Sequence, residues 1–550
     1  MMHRENAGTA DHQPQAPNQK FFIKTFGCQM NSADSERMSS LLADQGMGEA
    51  SDVQDADLII INGCTVREKA VHKAVSALGT LQDLRKNGRK PLIGIGGCVG
   101  QLDQGKLFRR APYLDFVFGT DTIDNLPEIV HRVRTGERHV VYADFDRTMD
   151  YSTETKIHRV KAQAFVNIMK GCDKYCTYCI VPFTRGREKS RKIAEVVDDI
   201  ARLVALGVRE VTLLGQNVNS FGKGNPNTAG LEPKELHNQI GKVGPRAGEE
   251  NFPQLLRAID RDPRCAALKR IRFTSSHPLD FSDELIECYA PAEKGGVARL
   301  AAHLHLPVQS GSNRVLQKMG RHHQIEGYIA QMDRLRELCP DVGLSTDLIV
   351  GFPTETDEEF EETLRLLDRV QYDNIYAFAY SPRPGTRAAK LADDVPAKVK
   401  NERLNRLLKY QLEIASKRYA SRIGKVMEIL VEGEAKNENI VTKAAGGLYG
   451  EGDGERALQA GMAGAAVASA TAIATPAGAG PRVWTGRTTC NRVVNFVSYA
   501  PRSFIGKFVN VRITGATSLS LQGELLDDQV AADGLGALHT DGAQTGEARL

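Results

Sequence analysis

The sequence is poor in aromatic side chains: 6% of 550 residues, with a single tryptophan. It has no uncharged apolar run approaching the ~20 residues that span a bilayer, so no membrane partner is expected. The first twenty residues carry no apolar h-region, so no secretory signal is read there. Charge of one sign is also lacking. The 71 basic and 68 acidic residues leave a net charge of +3, which excludes bulk attraction to nucleic acid but not a local basic patch. Together these absences predict a soluble, cytoplasmic protein, whose length predicts two to four domains. What the chain does have is ten cysteines. Without a signal they read as metal or redox ligands rather than disulfides.

Residues 1–19 are rich in Gln, Asn, Ala and Pro without an apolar period and read as a disordered tail, as do residues 527–550. From 20 to 140, apolar runs at Phe21–Phe26, Leu58–Ile61, Leu92–Ile95 and Asp115–Phe118 alternate with helical patterns. One of these places Met38, Leu41 and Leu42 on a single face. That order predicts a parallel α/β sheet. From 158 to 418, six more strand–helix units follow, at Phe165–Met169, Glu210–Leu214, Arg270–Thr274, His303–Val308, Leu344–Val350 and Ile375–Tyr380. They predict an open, partial (βα)6 barrel. A helix over Lys398–Ala415 is expected to pack through Leu404, Leu408 and Leu412. Short alternating runs at Val426–Val431, Val493–Phe496, Phe508–Ile513 and Ser518–Leu525 predict a small antiparallel β-barrel. Gly222–Glu250 and the Ala/Gly-rich 450–481 read as surface insertions.

Six cysteines form two constellations. Cys172, Cys176 and Cys179 stand in a C-x-x-x-C-x-aromatic-C loop just past a strand. Three thiolates from one loop can hold three corners of a [4Fe–4S] cube and leave the fourth iron open to a chelating small molecule. A zinc knuckle would need a fourth Cys or His close by, and none follows Cys179. Cys28, Cys64 and Cys98 each follow one of the first three strands. In a parallel sheet such residues emerge together at the carboxyl edge, where ligands bind. Asn31, Asn62 and the stretch Gly94–Gly97 flank them. Burial without function is the competing reading for this second set, and it is preferred for Cys265, Cys288, Cys339 and Cys490, which share no spacing.

The Cys172–Cys179 pattern, with Tyr178 in the aromatic slot, resembles the signature of the radical S-adenosylmethionine superfamily. Phe22–Asn31 with Asp34–Met38, Asn62–Ala70, Gly96–Cys98, Val181–Gly186, Leu213–Asn219, Pro307–Ser312 and Ser345–Pro353 together resemble the methylthiotransferase family of these enzymes, and most of all its MiaB-type branch. The resemblance runs from about 20 to 525. It implies two [4Fe–4S] clusters, one on Cys28, Cys64 and Cys98, the other on Cys172, Cys176 and Cys179. The second cluster would bind S-adenosylmethionine and cleave it to a 5′-deoxyadenosyl radical. Residues 421–526 would form a TRAM domain, an RNA-binding barrel interrupted by the 450–481 insertion. Where many radical enzymes carry Gly-Gly-Glu, this chain has Gly215-Gln216-Asn217, so the contacts to the methionyl amine do not carry over.

The implied reaction replaces C2–H by C2–SCH3 on N6-(dimethylallyl)adenosine 37 in the anticodon stem-loop of tRNAs reading codons that start with U. An aromatic C–H is a poor target for acid–base chemistry, which is why a cofactor-made radical is needed. An electron donor such as flavodoxin or ferredoxin is the expected partner, and the enzyme is expected to be a monomer. Arg422, Lys425, Arg482, Arg487, Arg492, Lys507 and Arg512 are candidate phosphate contacts. Tyr175 and Tyr178 are expected to pack the cluster loop rather than stack on a base. Sister branches act on threonylcarbamoyl adenosine of tRNA or on an aspartate of a ribosomal protein, and cysteine count does not separate them. A non-enzymatic RNA-binding electron carrier is disfavoured, because carriers commonly use four cysteines per cluster.

Overall fold

The computed structural model describes residues 19–65, 68–86, 90–145, 154–157, 160–222, 250–435, 482–498, 500 and 502–526. Nearly all of both expected tails and both expected insertions lie outside the described residues.

The amino-terminal unit is a six-stranded parallel sheet. Its strands are β1 (Lys20–Phe26), β2 (Gly48–Glu49), β3 (Leu58–Gly63), β4 (Leu92–Gly96), β5 (Phe116–Phe118) and β6 (Val140–Tyr142), in the order β2-β1-β3-β4-β5-β6. β3 is buried along its whole length and its side chains alternate between two cores. Ile59 and Ile61 face one core with Leu78 and Leu81 of the helix Glu68–Lys86. Leu58 and Ile60 face the other with Met38 and Leu42 of the helix Gln29–Asp44. Helices on both faces explain why these strands read as continuous apolar runs. The expected helical face was read with Leu41 as well, which is only partly buried. The sequence reading also missed β2 and β6, which are too short to show a period.

The central unit holds six parallel strands in two pieces. β7 (Gln163–Asn167), β10 (Glu210–Leu214) and β11 (Arg270–Phe273) pair in the order β11-β10-β7. β12 (His303–His305), β13 (Gly343–Val350) and β14 (Asn374–Ala379) form the other piece. A bridge between Ile271 and Leu300 joins the two. Among the described residues no pairing returns β14 to β7, so the barrel is partial and open. The expected strand at Phe165–Met169 ends early. After Asn167 the chain makes a separate antiparallel contact, β8 (Met169–Lys170) with β9 (Lys189–Ser190).

The helix Ala397–Ala420 corrects a second expectation. Its buried stripe runs through Arg403, Leu407, Gln411 and Ile414, while Leu408 is exposed. Leu404 packs against the central core as expected and Leu412 is half-buried, so the leucines lie at the edge of the packed face, whose centre includes charged and polar side chains. Arg403 pairs with Glu355 at 2.7 Å.

The last unit is a closed five-stranded barrel of β15 (Val426–Glu434), β16 (Arg482–Thr488), β17 (Val493–Ser498), β18 (Phe508–Ala516) and β19 (Leu521–Leu525), in the order β15-β16-β17-β19-β18. β16 was not foreseen. Closure leaves no free strand edge. The barrel seats on the amino ends of the central strands. Arg270 donates to the carbonyls of Arg487 and Glu428, each at 3.0 Å, and Arg272 donates to those of Thr488 and Thr489 at 2.7 and 3.0 Å. Arg492 is 1% exposed and pairs with Asp373, which also receives Arg418 at 3.0 Å. Arg492 and the buried, Asp341-paired Arg422 are therefore not available to phosphate, contrary to the expectation from sequence. Lys425, Arg482, Arg487, Lys507 and Arg512 keep at least partial exposure.

Removing one partner of a buried ion pair leaves the other uncompensated and costs about 3–5 kcal/mol. Arg492→Ala is expected to lower stability on that scale. Urea denaturation should show the carboxy-terminal barrel lost at lower denaturant than in wild type, whereas Arg512→Ala on the exposed barrel surface should leave the midpoint unchanged.

Candidate active site

The first cysteine group is assembled by strand register. Phe26 of β1 pairs with Gly63 of β3, and Gly63 bridges to Gly97 just past β4. The cysteines that follow, Cys28, Cys64 and Cys98, therefore emerge side by side at the carboxyl edge of three adjacent strands. Cys64 and Cys98 are buried, while Cys28 is exposed. An asparagine pair fixes the loops. Asn31 Nδ2 donates to Asn62 Oδ1 at 3.0 Å, and Asn62 Nδ2 donates back to the Asn31 carbonyl at 2.8 Å. Gly97 has φ +76°, and a Cβ there would stand 2.3 Å from Asn62 Oδ1. Only glycine suits that position.

The three thiols share hydrogen bonds. Contact with Cys64, followed by the charge of Arg185, holds the Cys28 and Cys98 thiols down at about 6. The same two contacts push Cys64 up. Arg185 comes from the other cysteine motif, at the end of the helix Val181–Arg185. It is buried and pairs with Asp34, on the helix that begins just after Cys28, at 2.6 Å. Thr120 Oγ1 donates to the Thr184 carbonyl at 2.8 Å and closes the same seam. The two cysteine groups thus meet across one junction.

The second group sits on the excursion between β8 and β9. Gly171 begins it with φ +76°, and a Cβ there would stand 1.9 Å from the Arg187 carbonyl oxygen. The Gly171 N–H donates to the Gln216 side chain, so the Gly215-Gln216-Asn217 segment braces the cysteine loop. Thr177 N–H donates to the Met319 carbonyl at 2.9 Å and pins the loop from the far side. Tyr175 is buried and Tyr178 packs against Val315, Met319 and Phe352, so both tyrosines pack the loop as expected. Burial raises the Cys172 thiol, with Glu188 adding to it, and pushes Cys179 up to about 12.

Among the described residues no group of three or more His, Cys, Asp or Glu side chains already stands in the arrangement that holds a metal ion. Donor chemistry carries the fit instead. Three thiols crowded together and largely desolvated cannot all ionise without a positive centre among them, which cluster irons would provide. Beside this loop, at the carboxyl ends of β10 and β11, lie buried polar atoms without hydrogen-bond partners. They are Asn217 Oδ1, Ser276 Oγ and His277 Nε2. His277 Nδ1 accepts from Leu279 N–H at 3.2 Å, and burial lowers its pKa well below the usual value. With Nδ1 taken up as an acceptor, Nε2 is the nitrogen left to donate, and it meets no acceptor among the described residues. Lys174 pairs with Asp280 at 2.7 Å, and Asn217 Nδ2 reaches the same carboxylate at 2.8 Å. Buried polar groups need partners. A zwitterionic methionyl group with a ribose and an adenine supplies both donors and acceptors, so these residues fit S-adenosylmethionine.

Sequence reasoning named these six cysteines as candidates but assigned no role to Arg185, Arg321, Glu188 or His277. Arg185 lies in a string singled out for resemblance, and the others carry no local signal. The four remaining cysteines share no site: Cys265, Cys288 and Cys490 are buried and Cys339 is half-buried.

A cleft of about 410 Å³ opens at the unpaired side of the barrel. Arg37 from the amino-terminal unit, Phe165, Arg272 and Tyr376 from the core, and Glu432 and Arg487 from the small barrel line it. All three units thus meet at one opening. No cysteine lines it, although Gln29 adjoins Cys28 in sequence.

Three family models match in succession: uncharacterized protein family UPF0004 over residues 20–119, the radical SAM superfamily over 166–367 and the TRAM domain over 480–526. The tRNA-2-methylthio-N(6)-dimethylallyladenosine synthase of Anoxybacillus flavithermus is 39% identical over 93% of this chain and 84% of its own length. That of Bacillus subtilis is 38% identical over 93% and 86%. The chain belongs to this synthase family. Its fold class, an α/β protein with a parallel-sheet unit, a radical SAM core and a small terminal barrel, is the one expected from sequence, except that β17 and β19 pair in parallel, so the barrel is not wholly antiparallel. The family works with [4Fe–4S] clusters and S-adenosylmethionine. Among solved structures, the radical S-adenosylmethionine methyltransferase TsrM of Kitasatospora setae aligns over 68% of this chain and 75% of its own, at 13% identity and a TM-score of 0.45. No helix among the described residues is long and apolar enough to cross a membrane.

A left-handed backbone with a side chain costs about 1–2 kcal/mol before any clash. Gly97→Ala is expected to displace Cys98 and to lower the iron bound per chain after anaerobic reconstitution. Gly79→Ala, with open space around its helical position, should bind as much iron as wild type.

Proposed function

We propose that this chain methylthiolates C2 of N6-(dimethylallyl)adenosine at position 37 of tRNAs reading codons that start with U, giving 2-methylthio-N6-(dimethylallyl)adenosine. Cys28, Cys64 and Cys98 hold one [4Fe–4S] cluster, and Cys172, Cys176 and Cys179 hold the other. When bound, S-adenosylmethionine would supply the radical from one molecule and the methyl group from a second, and the cluster on Cys28, Cys64 and Cys98 would hold the sulfur. The observation that carries the reading is the meeting of two three-thiol groups across the Asp34–Arg185 seam, in a chain whose relatives are named for this reaction. Three cysteines per group leave each cube one site for an exogenous ligand.

The protein's own residues bind, orient and exclude water. Asn217, Ser276 and His277 offer buried polar atoms to S-adenosylmethionine beside the cysteine loop. Packing of the helix Gly97–Asp103 against Val181–Arg185 holds the two groups in fixed relation. The lateral cleft admits the flipped base, since a base inside its stack cannot reach a buried radical. The exposed cations Arg512 and Arg482, with Lys507, take anticodon-arm phosphates, and neutralising any one of these side chains should reduce the salt slope of binding by about 1. The enzyme works in the cytoplasm as a monomer and takes electrons from a flavodoxin- or ferredoxin-type donor.

Anaerobic iron and sulfide analysis tests the cluster assignment. About eight irons per chain are expected from two cubanes, with about half lost in Cys28→Ala and half in Cys172→Ala. Zinc, or a single cubane, overturns it. Mass spectrometry of tRNA nucleosides from a deletion strain tests the substrate. Unmethylthiolated N6-(dimethylallyl)adenosine should accumulate, and loss of a ribosomal-protein modification instead would reassign the enzyme. Separately, a Lys507→Ala/Arg512→Ala double variant should bind the anticodon stem-loop more weakly, with a salt slope shallower by about 2. An unchanged slope would remove both from the interface.

A further inference from the structure

Arg321 is a buried cation with no carboxylate partner among the described residues. It lies beyond the helix Asn313–Lys318 and is 4% exposed. Its Nη1 donates to the Cys176 sulfur at 3.6 Å, its Nη2 donates to the Pro307 carbonyl, and its Nε has no hydrogen-bond partner. Every other buried arginine among the described residues has a carboxylate partner. The contrast is sharpest between the two cysteine groups. Arg185, beside Cys28 and Cys98, is neutralised by Asp34, whereas Arg321, beside Cys176, is not. An isolated charge is not kept in a low-dielectric interior without compensation, so the negative charge that balances Arg321 comes from the Cys176 sulfur it touches and from what the three cysteines bind.

We propose that Arg321 is a positioning residue whose guanidinium sets the reduction potential of the cluster on Cys172, Cys176 and Cys179. The inference rests on the cluster assignment made above. A [4Fe–4S]2+ core with three thiolates carries a net charge of −1. One electron from an external low-potential reductant makes it −2, with no bond formed or broken and the guanidinium protonated throughout. A fixed positive charge close by favours the more negative state, and favours it strongly where water is excluded. The group that has to accept the electron is therefore the one that faces the uncompensated cation. At the other group Arg185 is paired with Asp34, which weakens the positive field that reaches Cys28 and Cys98.

The test is an EPR-monitored redox titration with dithionite on anaerobically reconstituted full-length protein without S-adenosylmethionine. Wild type is compared with two neutral replacements, Arg321→Met and Arg321→Gln, and with Arg321→Lys. Both neutral variants should keep the wild-type iron content and show a more negative midpoint for the radical-generating cluster. Arg321→Lys should return most of the shift, and Arg110→Met, which removes an exposed cation of the amino-terminal unit, should leave that midpoint unmoved. An unchanged midpoint in both neutral variants overturns the proposal. So does an unchanged midpoint with weakened S-adenosylmethionine binding, which would assign the guanidinium to the methionyl carboxylate. A shift that lysine does not recover rules out charge as the cause. Loss of the cluster in both neutral variants, with retention in Arg321→Lys, overturns a role confined to potential. Failure of the underlying assignment reads differently: the signal would survive in Cys172→Ala.

Discussion

Parallel adjacency of β1, β3 and β4 is the constraint on which the candidate site depends. Cys28, Cys64 and Cys98 are separated by whole strand–helix units, and nothing local draws them together. They meet because parallel strands end at one edge and because Gly63 pairs with Phe26 and bridges Gly97 in register. A shift of one residue in either ladder would turn a thiol to the opposite face. The continuous burial of β3 and the Asn31–Asn62 pair hold that register.

The second group answers to a different demand. Its cysteines lie close in sequence, so the fold has only to hold one loop in shape and keep it dry. The β8–β9 contact closes its base, Gln216 braces its start and Met319 pins its middle. The helix that leaves this loop then carries Arg185 to Asp34, so one short segment serves both groups. The same economy appears at the other end of the core, where Arg270, Arg272 and Arg492 tie the terminal barrel to the amino ends of the strands.

Much of this was legible in the sequence. The apolar runs located the long buried strands because those strands are covered on both faces. The Cys-x-x-x-Cys-x-Tyr-Cys string located the second group because three ligands on one loop have to be close in sequence. Illegible were β2, β6 and β16, the first two too short to show a period. The working face of the helix Ala397–Ala420 was legible only in part: Leu404 packs on the core, but Arg403 and Gln411 are buried there and Leu408 is exposed. Arg492 and Arg422 read as surface cations and turned out to be buried pairs, since a basic residue looks the same in sequence whether water or a carboxylate faces it.

Sequence alone picked out the candidate ligands: six thiols in two sets of three, on a chain of alternating strands and helices. These are matters of residue type and spacing, and both are written along the chain. Tertiary structure decided the electrostatics. That Arg185 is paired with Asp34 while Arg321 touches only a cysteine sulfur and a carbonyl depends on which distant segments pack together. The energy of a charge depends on the dielectric and the countercharge around it.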